Sequence, residues 1–250
     1  MSLNLGEKRL LKDVIDINKT PLHDHGIYYI HDDEDIKKGY ALIFGPSDTI
    51  YSYGIYFFKF KFPNDYPYSP PHVEYLTNRD NVRFNPNLYR NGKVCISILN
   101  TWNGPQWSSC QTISSVLLTL VTLFHNKPLL NEPGISESYP SFKIYNKIIE
   151  YSSIKIALLD VLSGKICKDM YSKFKTVIDK HVEKNHDSII EKIKDIDPPG
   201  KKTINTVQTT ETISNEYQSK TFKVNIYNMD IKCSFNGYLL SRFINLSQFN

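Results

Sequence analysis

Four prolines fall within nine residues, Pro63, Pro67, Pro70 and Pro71, in the stretch FPNDYPYSPPHVEYL. A proline fixes φ and has no amide donor, so neither a helix nor a central strand can run through this segment. Regular structure must therefore end near Phe62 and resume as a short strand at Val73–Leu76. Before it, YALIF and YGIYFFKFKF read as two strands joined at Gly45-Pro46-Ser47-Asp48. In the second strand Phe58, Phe60 and Phe62 alternate with Lys59 and Lys61, which predicts a sheet with one buried face. The short IYYI between the polar stretches HDHG and HDDED adds a further strand.

Helical periodicity frames this meander. Leu10, Leu11, Val14 and Ile15 share a face within Glu7–Asn18, and Thr20-Pro21 stops that helix. Ile113, Val116, Leu117, Leu120 and Phe124 give a largely buried helix over Thr112–Phe124. A third helix is predicted from Phe142 to about Leu162, broken near Ser163-Gly164. A fourth places Met170, Phe174, Val177, Ile178, His181 and Val182 on one face. Asp197-Pro198-Pro199-Gly200 ends the helical region. The polar TINTVQTTETISNE reads as loop, and FKVNIYNMDIKCSFNGYLL fits two strands or irregular packing.

Composition narrows the function classes. The chain has 250 residues, a net charge of +4, 40% hydrophobic and 13% aromatic residues. This is the profile of a folded globular protein, with lysines spread among acids, so neither nucleic acid nor a membrane is an expected partner. The first residues, MSLNLGEKRLLKDV, lack the features of a signal peptide, which predicts a cytoplasmic or nuclear protein. Cys95, Cys110, Cys167 and Cys233 are far apart and form no ligand pattern, so neither a disulfide framework nor a zinc site is expected. His23, His25 and His31 with Asp24, Asp32 and Asp33 read as polar loops rather than a metal site.

Taken alone, Cys95 in VCISIL is more often a buried small residue than a nucleophile. Its surroundings reverse that reading. FPNDYPYSPPHVEYL resembles the F-P-x-x-Y-P-F-x-P-P signature of ubiquitin-conjugating enzymes, with Tyr68 at the second aromatic place. NPNLYRNGKVCISIL resembles the family's H-P-N-[IV]-x-x-x-G-x-[IV]-C-L-x-I-L signature, with Asn87 eight positions and Gly92 three positions before Cys95. GPQWSSCQTISSVLLTL resembles W-S-P-A-x-[ST]-[IVL], and the likeness runs from Lys8 to Leu159. Within the family it is greatest to the large members with a C-terminal extension, such as the Z member.

The resemblance implies an α/β (α+β) ubiquitin-conjugating fold: a four-stranded antiparallel meander flanked by helices, a core over 1–162 and an extension over 163–250. It implies that Cys95 accepts ubiquitin, or a ubiquitin-like protein, from an activating enzyme and passes it to a substrate lysine or a ligase. No cofactor is implied, because ATP is consumed by the activating enzyme. Asn87 would donate an amide hydrogen bond to the oxyanion. Lys8, Arg9 and Lys12 would contact the activating enzyme, and Tyr68, Ser109 and Cys110 the ligase. Asn126 and Lys127 fall on the path of the acceptor lysine.

Two departures from the pattern matter. Asn85 replaces the histidine of H-P-N, so a loop contact must be made differently, and Ser109-Cys110 replaces Pro-Ala, which predicts an unusual set of ligases. Trp102 and Trp107 are expected as core or loop anchors. Rival readings are a non-catalytic binding module and a cysteine hydrolase, the latter needing a histidine beside Cys95.

Overall fold

The computed structural model describes residues 4–196, 242–244 and 246; the polar and strand-like segments between 197 and 241, Cys233 included, lie outside the described residues. Helix α1 spans Leu5–Lys19 and begins with a reciprocal cap, Asn4 accepting from the Glu7 amide and Glu7 from the Asn4 amide. Strands β1 (Ile27–His31), β2 (Lys38–Phe44), β3 (Ile55–Lys61) and β4 (His72–Tyr75) form one antiparallel sheet in sequential order. Helix α2 (Ile113–Val121) is capped by Thr112 and Ser115. Helix α3 (Phe142–Ser152) continues through wider π-helical turns over Ser153–Asp160, followed by α4 (Lys168–Lys184) and α5 (His186–Ile196).

The register Ala41↔Phe58 and Ile43↔Tyr56 sets one sheet face toward α2 and the cysteine loop. There Tyr56 stacks on Phe124 with centroids 4.4 Å apart and meets Phe84 edge-on at 5.7 Å. The single buried face expected from the Phe/Lys alternation holds only for the far half of β3. Leu42, Phe44, Ile55 and Phe57 point the other way, and all four are buried.

Helix α4 is the reason. Its buried residues Met170, Phe174, Ile178 and Val182 recur every four residues and lie on the sheet's outer face. Phe174 packs on Phe57 at 6.0 Å, and the His181 ring lies flat on Phe44 at 3.7 Å. The Lys173 ammonium stands 4.5 Å above the Tyr40 ring centroid. The uninterrupted apolar run YALIF is thus explained by burial on both sides.

Residues 242–244 also pack on this body. Arg242 donates to the buried Asp160 at 2.9 Å, and Phe243 is fully buried with its ring 5.4 Å from His186. Among the described residues no helix is long and apolar enough to cross a membrane, and no group of His, Cys, Asp or Glu is arranged to hold a metal.

Candidate active site

Cys95 lies on a segment that leaves the sheet at Tyr75, crosses the α2 face and returns through Val94. The Tyr89–Lys93 turn closes with the Gly92 amide donating to Tyr89 O at 3.0 Å, and Tyr75 N donates to Gly92 O at 2.8 Å. Gly92 has φ of 87°, and a Cβ there would meet the Tyr75 carbonyl at 3.1 Å, so only glycine suits the position.

Five successive carbonyls of this loop each receive a donor. Tyr145 OH reaches Arg83 O at 2.8 Å, Tyr51 OH reaches Phe84 O at 2.6 Å, and Leu88 N reaches Asn85 O at 2.9 Å. The Arg83 guanidinium donates to Pro86 O, and Cys95 N to Asn87 O at 2.8 Å. With every acceptor engaged, the backbone around Asn87 has little freedom.

Asn85, which replaces the signature histidine, is fully buried and makes the missing contact with its amide. Its Nδ2 donates to Leu123 O at 2.9 Å, and its Oδ1 accepts from Asn87 N at 2.8 Å and from Asn131 Nδ2 at 3.3 Å. Asn131 is joined in turn to His125 at 3.1 Å. Since Lys127 N donates to His125 Nδ1, it is the Nε2 proton that goes to Asn131 Oδ1.

Asn87 and Cys95 face each other. Asn87 Nδ2 donates to Cys95 O at 2.6 Å, so the amide braces the loop, and its second hydrogen is directed elsewhere. The cysteine is 3% exposed, and its thiol donates to Thr101 O at 2.7 Å. The Thr101 hydroxyl accepts from Ile96 N at 3.0 Å, tying the far wall to the same strand. Burial pushes the thiol above its ordinary range; Lys93 and Arg83 pull it back, while Glu132 adds to the rise. No described histidine is bonded to the thiol, which removes the contact that a cysteine hydrolase needs.

The residues expected to meet partners converge. Lys8, Arg9, Lys12, Tyr68, Ser109 and Cys110 line one open groove of about 800 Å³ between α1, the proline-rich loop and the entry to α2. Tyr68 is 73% exposed at its rim. Arg9, however, has its guanidinium spent inside the protein, donating to Ser109 O at 2.6 Å, Gln111 O at 2.8 Å and Asp13 at 3.0 Å. Trp107 is buried and donates to Pro67 O at 2.7 Å, as expected of an anchor. Trp102 is 39% exposed, so it is a loop residue rather than a core one, and its carbonyl accepts from Gln106 Nε2 at 3.1 Å.

Asn126 and Lys127 make no hydrogen bond to the 83–95 segment among the described residues. Asn126 clasps the β2–β3 loop, accepting from Ile50 N at 3.0 Å and donating to Asp48 O at 2.9 Å. Lys127 pairs with Glu137 at 2.6 Å, which offsets its charge. The acid whose field reaches Cys95 is Glu132. Sequence reading missed it, together with Arg83, Thr101, Tyr51 and Tyr145; only the NEP turn around Glu132 offered a local signal.

Residues 9–148 match the family model for the ubiquitin-conjugating enzyme. The chain belongs to the ubiquitin-conjugating enzyme family. It is 46% identical over 161 residues to ubiquitin-conjugating enzyme E2 Z of Danio rerio, an alignment covering 63% of this chain and 48% of that protein. The Homo sapiens protein of the same name is 46% identical over 160 residues, covering 63% and 45%. Among solved structures, that of human ubiquitin-conjugating enzyme E2 G1 aligns at 30% identity and a TM-score of 0.43, over 50% of this chain and 98% of that one. The chain spans about half the length of the curated relatives it matches.

Proposed function

We propose that this chain carries ubiquitin, or a ubiquitin-like protein, as a thioester on Cys95 between an activating enzyme and either a ligase or a substrate lysine, in the cytoplasm or nucleus. The observation that carries the reading is the Asn87–Cys95 pairing within the signature loop, closed by bonds in both directions. In the first step Cys95 Sγ attacks the activating enzyme's thioester. A new C–S bond forms, the donor's C–S bond breaks, and the departing thiolate takes up the proton. In the second step an amine nitrogen attacks the carbonyl carbon, the bond to Cys95 Sγ breaks, and the amine's proton leaves with the thiolate.

Nothing in this exchange needs an activating histidine. A free thiol of pKa about 8.5 is a few per cent thiolate at neutral pH; burial leaves Cys95 with less, so exchange relies on the geometry that a docked partner supplies. During amine attack the carbonyl oxygen gains charge, and the second Asn87 amide hydrogen, not used in the bond to Cys95 O, would be the donor to it. One such donor is worth about 3 kcal/mol. The groove lined by Lys8, Lys12 and Tyr68 is the surface on which activating enzyme and ligase would dock in turn.

The test is incubation with an activating enzyme, ubiquitin and ATP, followed by gels with and without reducing agent. Wild type should give a thiol-sensitive adduct, Cys95→Ala none, and Cys95→Ser a thiol-resistant ester. An adduct that persists in Cys95→Ala would refute the assignment.

A further inference from the structure

Cys95 is followed by a short 3₁₀ turn over Ser97–Leu99, and the chain then reverses at Asn100, whose φ of 56° is left-handed. Asparagine tolerates that region better than most residues with a Cβ. Its Oδ1 accepts from Trp107 N at 2.8 Å, and Trp107 is itself bonded to Pro67 O, so the turn is held from its far side. The reversal brings Thr101 back against the segment that carries Cys95.

There Thr101 meets the residues on both sides of the cysteine. Its Oγ1 accepts from Ile96 N at 3.0 Å and stands 3.0 Å from both Val94 O and Ile96 O. Ile96 O already receives Leu99 N at 3.1 Å and Thr101 N at 3.3 Å, so the one hydroxyl proton goes to Val94 O. The Thr101 carbonyl takes the thiol hydrogen of Cys95 at 2.7 Å. One residue thus fixes the backbone before the cysteine, the backbone after it and the sulfur between them.

We propose that Thr101 is a positioning residue for Cys95: its hydroxyl clasps the backbone on either side of the cysteine, and its carbonyl holds the free thiol against the loop. The two contacts have different fates on the proposed function. A thioester sulfur carries no hydrogen, so the bond to Thr101 O exists only before loading, whereas the hydroxyl clasp does not involve the sulfur and persists after it. The carbonyl shields the resting thiol, and the clasp keeps the loaded sulfur in one orientation. Attack by an amine gains from that second effect, because small misplacements of the reacting atoms cost heavily in rate.

The experiment compares full-length wild type, Thr101→Val and Thr101→Ser; valine keeps the shape and loses the hydroxyl, and serine keeps the hydroxyl. In the first arm, with no ubiquitin present, alkylation of each cysteine by iodoacetamide is followed at a single pH by peptide mass spectrometry. Thr101→Val should raise the Cys95 rate about fivefold, with Cys110 and Cys167 unchanged and Thr101→Ser near wild type. The second arm rests on Cys95 as the ubiquitin carrier: preformed thioester is discharged onto free lysine in a single turnover. Thr101→Val should slow that discharge about tenfold, with rescue by serine.

Equal Cys95 alkylation in the three proteins would overturn the proposal. So would a rise shared by Cys167, which is the mark of general loosening, a serine variant that behaves as valine does, or faster alkylation with unchanged discharge. If no thioester forms on wild type, it is the carrier reading that fails, and the alkylation arm still decides the clasp. If Thr101→Val does not fold, hydrogen exchange at the Ile96 amide of wild type decides: protection comparable to that of the sheet supports the clasp, and rapid exchange overturns it.

Discussion

Replacing Arg9 with alanine separates two roles that a basic helix face combines. Lys8 and Lys12 are exposed, whereas Arg9 lies across the base of the groove and donates to Asp13, Ser109 O and Gln111 O. Asp13 is 4% exposed and its carboxylate is shared between Arg9 and the Tyr66 hydroxyl. Without Arg9 that carboxylate keeps one neutral partner and loses its counter-charge. Removing one side of a fully buried pair costs about 3–5 kcal/mol, but Arg9 is a quarter exposed and water can replace part of what is lost. The two carbonyls on the outer side are re-solvated at little cost.

A loss of about 2–3 kcal/mol follows, a lowering of the urea midpoint by roughly 1 M or more. Lys8→Ala and Lys12→Ala should stay within about 0.5 kcal/mol of wild type, as surface substitutions do. In a charging assay these two should raise the activating-enzyme concentration needed for half-maximal loading, while Arg9→Ala lowers both loading and stability. An Arg9→Ala protein with an unchanged urea midpoint would show that the bonds to Asp13, Ser109 and Gln111 carry no weight, and the argument would fail.

Phe174→Ala should cost about 3–5 kcal/mol in urea unfolding, because it empties the contact between α4 and Phe57. The folded fraction should still charge at the wild-type rate, since Cys95 is on the opposite side of the sheet; slowed charging of folded protein would contradict the layering. His181 is held down to about 4 by burial, first, and by Lys184, second. Its unfolded value is near 6.5, so the unfolded chain binds the proton first, and stability present above pH 6.5 is lost progressively down to about pH 4. The loss is at most about 3 kcal/mol, and His181→Phe should flatten that part of the stability–pH curve; an unaltered slope would refute the assignment.

Much of the architecture was legible because it is local. The proline cluster, the Phe/Lys alternation and the apolar spacing of α2 each report a period or a break in the chain itself; in α1 the spacing predicted the helix but misplaced its face, since Ile15 is 49% exposed and Asp13 and Ile17 are buried beside Leu10 and Val14. The second buried face of the sheet was not legible, because Leu42, Phe44, Ile55 and Phe57 become core only when α4, more than a hundred residues later, lies down on them. The same holds at the site. Cys95, Asn87 and Gly92 stand at fixed intervals in one loop, while Tyr51, Tyr145, Thr101 and Arg83 act through contacts that no spacing encodes. Arg9 illustrates the converse: its charge was visible in the sequence, but its partners were not.

The design of the loop favours geometry over an activated nucleophile. Burial raises the thiol rather than lowering it, and among the described residues no base is bonded to Sγ. What the fold invests in instead is the backbone: donors on five consecutive carbonyls, an amide chain from His125 through Asn131 and Asn85 to Asn87, and buried tyrosines on both sides. An acyl carrier of the kind proposed would gain from that arrangement. A thiol made strongly nucleophilic by a neighbouring histidine would also hold a general base beside the thioester, where it would assist water as readily as an amine. On the proposed function, a rigid loop with an unactivated thiol and one amide donor would discriminate by position, the acyl group moving when a docked partner brings the second reactant into line.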